Sequence, residues 1–155
     1  MEGIEPQAAG RAGQLIFVFA RLDFLLSLAL RNLLSTTDPE CIAPLVERLG
    51  FKAKMDVLRD IVPKVFASHP SAATEYDAWY QRADRLRVTR NAFVHGRWGM
   101  QNRDTVFNAA TGTGTTFSGM AKVFSLAELE VEVSTATETL NKLHEWHAKY
   151  VVDAV

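Results

Sequence analysis

The sequence predicts a mainly α-helical fold, a bundle of four to five helices with one β-hairpin inserted before the last helix. Three observations carry that expectation. Apolar residues recur at intervals of three and four through most of the chain. Residues 103–124, RDTVFNAATGTGTTFSGMAKVF, change texture, with two β-prone runs around a turn at Gly112 and Gly114. Ser125 and Glu128 then form a capping box, S-L-A-E, that opens a final helix. A chain of 155 residues, 48% of them hydrophobic, suffices for one compact domain with its own core. The expected division is a loose N-terminal tail over residues 1–13 and a single helical domain over 14–155.

The opening MEGIEPQAAGRAG has acids and a proline where a secretory leader would have a basic start and an apolar run, so cytoplasm is the expected location. Residues 15–34, LIFVFARLDFLLSLALRNLL, are apolar enough to be tested as a membrane span. Arg21, Asp23 and Arg31 interrupt them, and placing those charges in hydrocarbon costs several kcal/mol, so a core helix is expected and no membrane partner. On a helical wheel Leu15, Phe19, Leu22, Leu26 and Leu30 share one broad face. Asp23, Ser27 and Arg31 form a polar stripe, and Phe17, Phe24 and Leu28 form a second apolar patch beside it. A helix that is apolar on two sides fits either the centre of one subunit's bundle or a homodimer contact.

In TTDPE, Asp38 suits an N-cap and Pro39 the first helical position, and Gly50 suits the end of that short helix. FKAKMDVLRDIVPKVF places Phe51, Met55, Leu58, Ile61, Val62 and Val65 at helical spacing, with Pro63 as a kink or stop. A helix over about residues 72–95 follows, spacing Tyr76, Trp79, Ala83, Leu86, Arg90 and Phe93 along one arc and stopping at Gly96. In the last helix Leu129, Val133, Ala136, Leu140, Leu143, His147 and Tyr150 continue the apolar stripe.

Charge and composition narrow the function classes. Seventeen basic residues against eighteen acidic ones give a net charge of −1, which excludes a global positive field and makes any nucleic-acid contact local. A single cysteine, Cys41, excludes an internal disulfide and a cysteine-rich zinc site. His144 and His147 have spacing that could hold a metal, but no convincing third ligand stands nearby, so no metal or other cofactor is expected. TGTGTT lacks the following lysine and helix of a phosphate-cradling loop and reads as a hairpin tip.

The anomaly is Arg90, in the stretch RNAFVHGRW, because it stands where the helical pattern calls for a core residue. A core-facing arginine must be ion-paired, for instance with Asp23 or Asp56, or must line a cleft in which its planar fork holds an anion. His95 lies about 140° around and roughly 7.5 Å along the axis from it. Asn91, four residues before His95, could orient that imidazole. Together the three supply an anion clamp, a titratable group and an orienting group, though they could equally tie the helix end to the loop after it. Between residues 82 and 103 six arginines face one acid, Asp84, a local excess that favours a phosphate-bearing partner. Arg87, Arg97 and Arg31 are further candidates for phosphate contact.

RNAFVH satisfies the arginine, four to six residues, histidine signature of the HEPN superfamily. The long apolar first helix, the FKAKMDVLRDI helix, and RNAFVHGRW followed by a hairpin and a last helix resemble small bacterial HEPN-like proteins carrying RNxxxHG, over about residues 15–150. That resemblance implies a homodimer whose two motifs share a cleft, and metal-independent cleavage of RNA with the ribose 2′-hydroxyl as nucleophile. It makes His95 the general acid or base, Arg90 the stabiliser of phosphoryl charge and Asn91 an orienting group. It also implies a role as the toxin of a toxin–antitoxin pair or in phage defence, with an antitoxin protein as partner. Other HEPN-like domains are non-catalytic modules that bind a nucleotide or a protein, and that is the alternative expectation.

Overall fold

The computed structural model describes residues 3–34, 39–109 and 121–152. Five helices form the fold: α1 (Ile4–Leu34), α2 (Pro39–Glu47), α3 (Phe51–Val65), α4 (Pro70–His95) and α5 (Leu126–Trp146), the last running on into a π-helical turn at His147–Val151. Between α4 and α5 lies a three-stranded antiparallel sheet, β1 (Arg97–Met100), β2 (Thr105–Ala109) and β3 (Lys122–Ser125), in that order. The fold is therefore mainly α with a small β insertion, as the sequence predicts.

Three local differences from the sequence reading have physical causes. Residues 4–13 are not a loose tail, because α1 begins at Ile4, and Ile4 and Ala8 are buried. The acid and proline that read as tail are helix-start signals: Glu5 complements the dipole of the first turn, and Pro6 has no first-turn N–H to forfeit. Gly50 does not end α2. It is the N-cap of α3 in extended backbone, and its carbonyl accepts from the Lys54 N–H at 3.0 Å. The hairpin gains a third strand, since RWGM pairs with β2 in the register Arg97↔Ala109 to Met100↔Val106. The tip with Gly112 and Gly114, and the proposed cap Asp38, lie outside the described residues.

Contacts divide the chain into two compact units, Met1–Phe19 with Arg85–Glu138, and Ala20–Asp84 with Thr139–Val155. In the first unit Leu15, Phe19, Leu86, Phe93, Val106, Phe124 and Leu129 are buried. In the second, Leu22, Leu26, Leu30, Met55, Leu58, Tyr76, Trp79, Leu140, Leu143 and Trp146 are buried. Polar atoms on that second set of large side chains are satisfied by main chain: Tyr76 Oη donates to Met55 O at 3.0 Å, Trp79 Nε1 to Thr139 O at 2.9 Å and Trp146 Nε1 to Ala72 O at 3.0 Å. Lys54 is 3% exposed, and its Nζ reaches both carboxylate oxygens of Asp23 at 2.9 and 3.0 Å. Asp56 is held by Lys52 and Tyr80, so both acids weighed as partners for Arg90 have partners of their own.

α1 is long and apolar enough to cross a membrane by length and composition. Half of its most apolar window is packed inside the protein, as in the core helix of a folded domain.

Candidate functional site at the end of α4

The last turn of α4 is fastened to the sheet by main-chain carbonyls that a helix end would otherwise leave without a partner. Ala92 O accepts from the Gly96 N–H at 2.7 Å and from Asn108 Nδ2 on β2 at 3.1 Å. Phe93 O accepts from Trp98 Nε1 on β1 at 3.0 Å. Beneath these bonds Phe93, Trp98 and Phe124 form an aromatic cluster, with Phe93 edge-on to Trp98 at 4.9 Å and to Phe124 at 5.5 Å between centroids.

Gly96 is needed for space and not for backbone conformation, since no described glycine has positive φ. A Cβ there would meet the Ala92 carbonyl oxygen and stand 2.6 Å from both polar atoms of the Asn108 carboxamide. At Gly99 a Cβ would fall 2.5 Å from the ring of Phe107, its partner across the ladder. Two glycines of RNAFVHGRWG therefore let β2 side chains lie flat against the chain that leaves the helix.

On this fastened end stands Arg90, half-buried, with its guanidinium 4.8 Å over the ring of Phe19. Its Nη1 donates to Asn91 Oδ1 at 2.9 Å, and its Nε is buried with no acceptor. Among the described residues no carboxylate is ion-paired with it. Asn91 is thus coupled directly to Arg90 through its carboxamide oxygen. His95 is exposed on the last residue of α4. Arg87 is half-buried on the same helix, and Arg97 is exposed at the start of β1.

Arg31 belongs to the other compact unit and is ion-paired there with Glu47. His147 is buried, its Nε2 has no partner, and burial, with a smaller effect from His144, lowers its pKa. Among the described residues no group of three or more His, Cys, Asp or Glu side chains is arranged to hold a metal ion.

Sequence reasoning missed Phe19 as the platform for Arg90 and Asn108 as the lock on Ala92. Neither has a local signal, because each acts across many residues of chain. The fold and this site define a mainly α-helical protein that presents a half-buried arginine and an exposed histidine at one helix end. Comparison with protein-family models, with curated proteins and with solved structures finds no match to this chain.

Proposed function

We propose that the end of α4 is a phosphate-directed site and that the protein is a HEPN-like, metal-independent endoribonuclease acting as a homodimer. One observation carries the reading. Arg90 holds a permanent charge on a partly desolvated guanidinium whose partners are an aromatic face and a neutral amide. A cation so placed gains more from an incoming anion than one already neutralised by a carboxylate.

In the proposed chemistry Arg90 stabilises charge on the phosphoryl oxygens, and Asn91 fixes the plane of its guanidinium. His95 takes the proton of the ribose 2′-hydroxyl, or delivers one to the leaving 5′-oxygen. Arg87 and Arg97 supply further phosphate contact. The exposed rings of Phe17 and Phe24, each 68% accessible and one heptad apart on α1, support a second copy as partner. A toxin or phage-defence role, with an antitoxin protein as its inhibitor in the cytoplasm, fits such an activity.

The test is cleavage of single-stranded RNA in EDTA. His95→Ala and Arg90→Ala should each abolish it while the circular dichroism and melting profile stay those of the native chain. Cleavage that survives both substitutions removes the proposed site. The second reading, a non-catalytic module binding a nucleotide or protein at the same place, is favoured by the exposed position of His95 beside a half-buried Arg90 whose own hydrogen bond goes to Asn91. It predicts nucleotide binding that Arg90→Ala weakens, without cleavage.

A further inference from the structure

The first compact unit contains a groove of about 370 Å³ between the N-terminal part of α1 and strand β1. Its α1 side includes Ala9, Ala12 and Gly13, which leave the helix backbone close to the surface, and its sheet side includes Trp98 and Met100. We propose that this groove takes an extended, apolar peptide segment of a partner protein, which adds to β1 as a further strand.

The main chain of β1 says what covers it. Gln101 N donates to Thr105 O at 3.0 Å, so residues 101 and 105 form a closely bonded pair. Antiparallel ladders alternate, so by the observed register the bonded pairs continue at Gly99↔Phe107 and Arg97↔Ala109. The N–H and C=O groups of Trp98 and Met100 therefore point away from β2, along the open edge of the sheet. A backbone in extended conformation satisfies both sets of groups.

The side chains agree. Met100 shares a sheet face with its cross-strand partner Val106, which is buried, yet Met100 itself is 45% exposed. An added strand would cover it, and every second residue of that strand would drop toward Ala9, Ala12 and Gly13. The two edges of the sheet also differ: β3 carries Lys122, ion-paired with Glu132, a common guard against pairing, whereas the charge on β1 is confined to its first residue, Arg97, and Trp98, Gly99 and Met100 provide neither lysine nor proline.

Charge selects among occupants. The one charged residue in the lining is Glu5, which has no ion pair among the described residues. A carboxylate in an otherwise uncharged groove repels a phosphate backbone and favours a lysine or arginine at one end of the peptide. This inference uses none of Arg90, Asn91 or His95, and of the residues in the nuclease reading only Arg97 lies on β1.

The test starts from random short peptides displayed on phage and selected against the full chain. Selected sequences should alternate apolar residues and carry a basic residue near one end. A synthetic copy should slow hydrogen exchange at the Trp98 and Met100 amides, and methylating its own amides at alternate positions should abolish binding in one parity only. Gly13→Leu projects into the groove from a position where an added Cβ meets nothing, and should weaken binding about tenfold or more while the melting profile stays native. Met100→Pro removes one outward N–H from an edge strand, where proline is tolerated, and should do the same. The proposal is overturned if selection enriches nothing over the Gly13→Leu protein, if amide methylation acts without parity, or if a single-stranded RNA still protects the same two amides in an Arg90→Ala, Arg97→Ala protein.

Discussion

Replacing Gly96 by alanine puts a methyl group against the Ala92 carbonyl and 2.6 Å from the Asn108 carboxamide. The backbone at Gly96 is open to any residue, so the whole cost is crowding and lost hydrogen bonding. Forcing the two chain segments apart costs about 1–3 kcal/mol, as overpacking does. Breaking the bond from Asn108, which is 4% exposed, leaves a buried amide without its acceptor and costs a further 1–3 kcal/mol or so. Alanine restricts the unfolded chain and returns about 0.4–1 kcal/mol. The net expectation is a loss of about 1–6 kcal/mol, measured as a lower urea midpoint at unchanged slope. Adding Asn108→Ala should not restore native stability, because the clash with the Ala92 carbonyl is with main chain. A Gly96→Ala protein within about 0.5 kcal/mol of the native one would refute this account and return the motif glycine to a purely functional role.

Three further outcomes follow from the same structure. Asp23→Ala strands the ammonium of Lys54 and should cost about 2–3 kcal/mol in chemical denaturation, less than a fully buried pair because Asp23 is partly exposed; Lys54→Met should recover much of that loss in the double variant. Burial lowers the pKa of His147 below its ordinary 6.5, so the unfolded chain binds the extra proton first. Stability should hold above that value and fall as pH drops from it toward the folded-state value, and a thermal-melt series should lose this acid step in His147→Leu. Phe17→Ser with Phe24→Ser removes two exposed rings from α1; under the proposed function it should turn the proposed dimer into a monomer in sedimentation analysis, with the proposed RNA cleavage lost alongside it, and a dimer that persists unchanged places the subunit contact elsewhere.

The chemistry of the candidate site was legible in part. RNAFVHG marks Arg90 as a charge inside an apolar arc, and the half-buried guanidinium agrees. The partners weighed for it, Asp23 and Asp56, are taken by Lys54 and by Lys52 with Tyr80. Arg31, a further candidate for phosphate contact, is ion-paired with Glu47, and that pairing has no signal in local sequence. Gly96 read as a helix stop, and α4 does end at His95. Its actual need is room for Asn108, which only the β2 register creates.

The amino-acid order alone determined what depends on neighbours within a turn or two. It set the apolar face of α1, the arc of α4, and the capping box in which Ser125 N donates to Glu128 Oε2 at 2.7 Å and Glu128 N to Ser125 Oγ at 3.2 Å. Tertiary structure decided the rest: that residues 4–13 are helix because Ile4 and Ala8 find a core, that RWGM becomes a strand because β2 offers it a ladder, and that Lys54 is buried because Asp23 meets it. Periodicity reports the energy of one element against water, whereas these outcomes depend on partners distant in sequence, whose contribution exists only once the chain has folded.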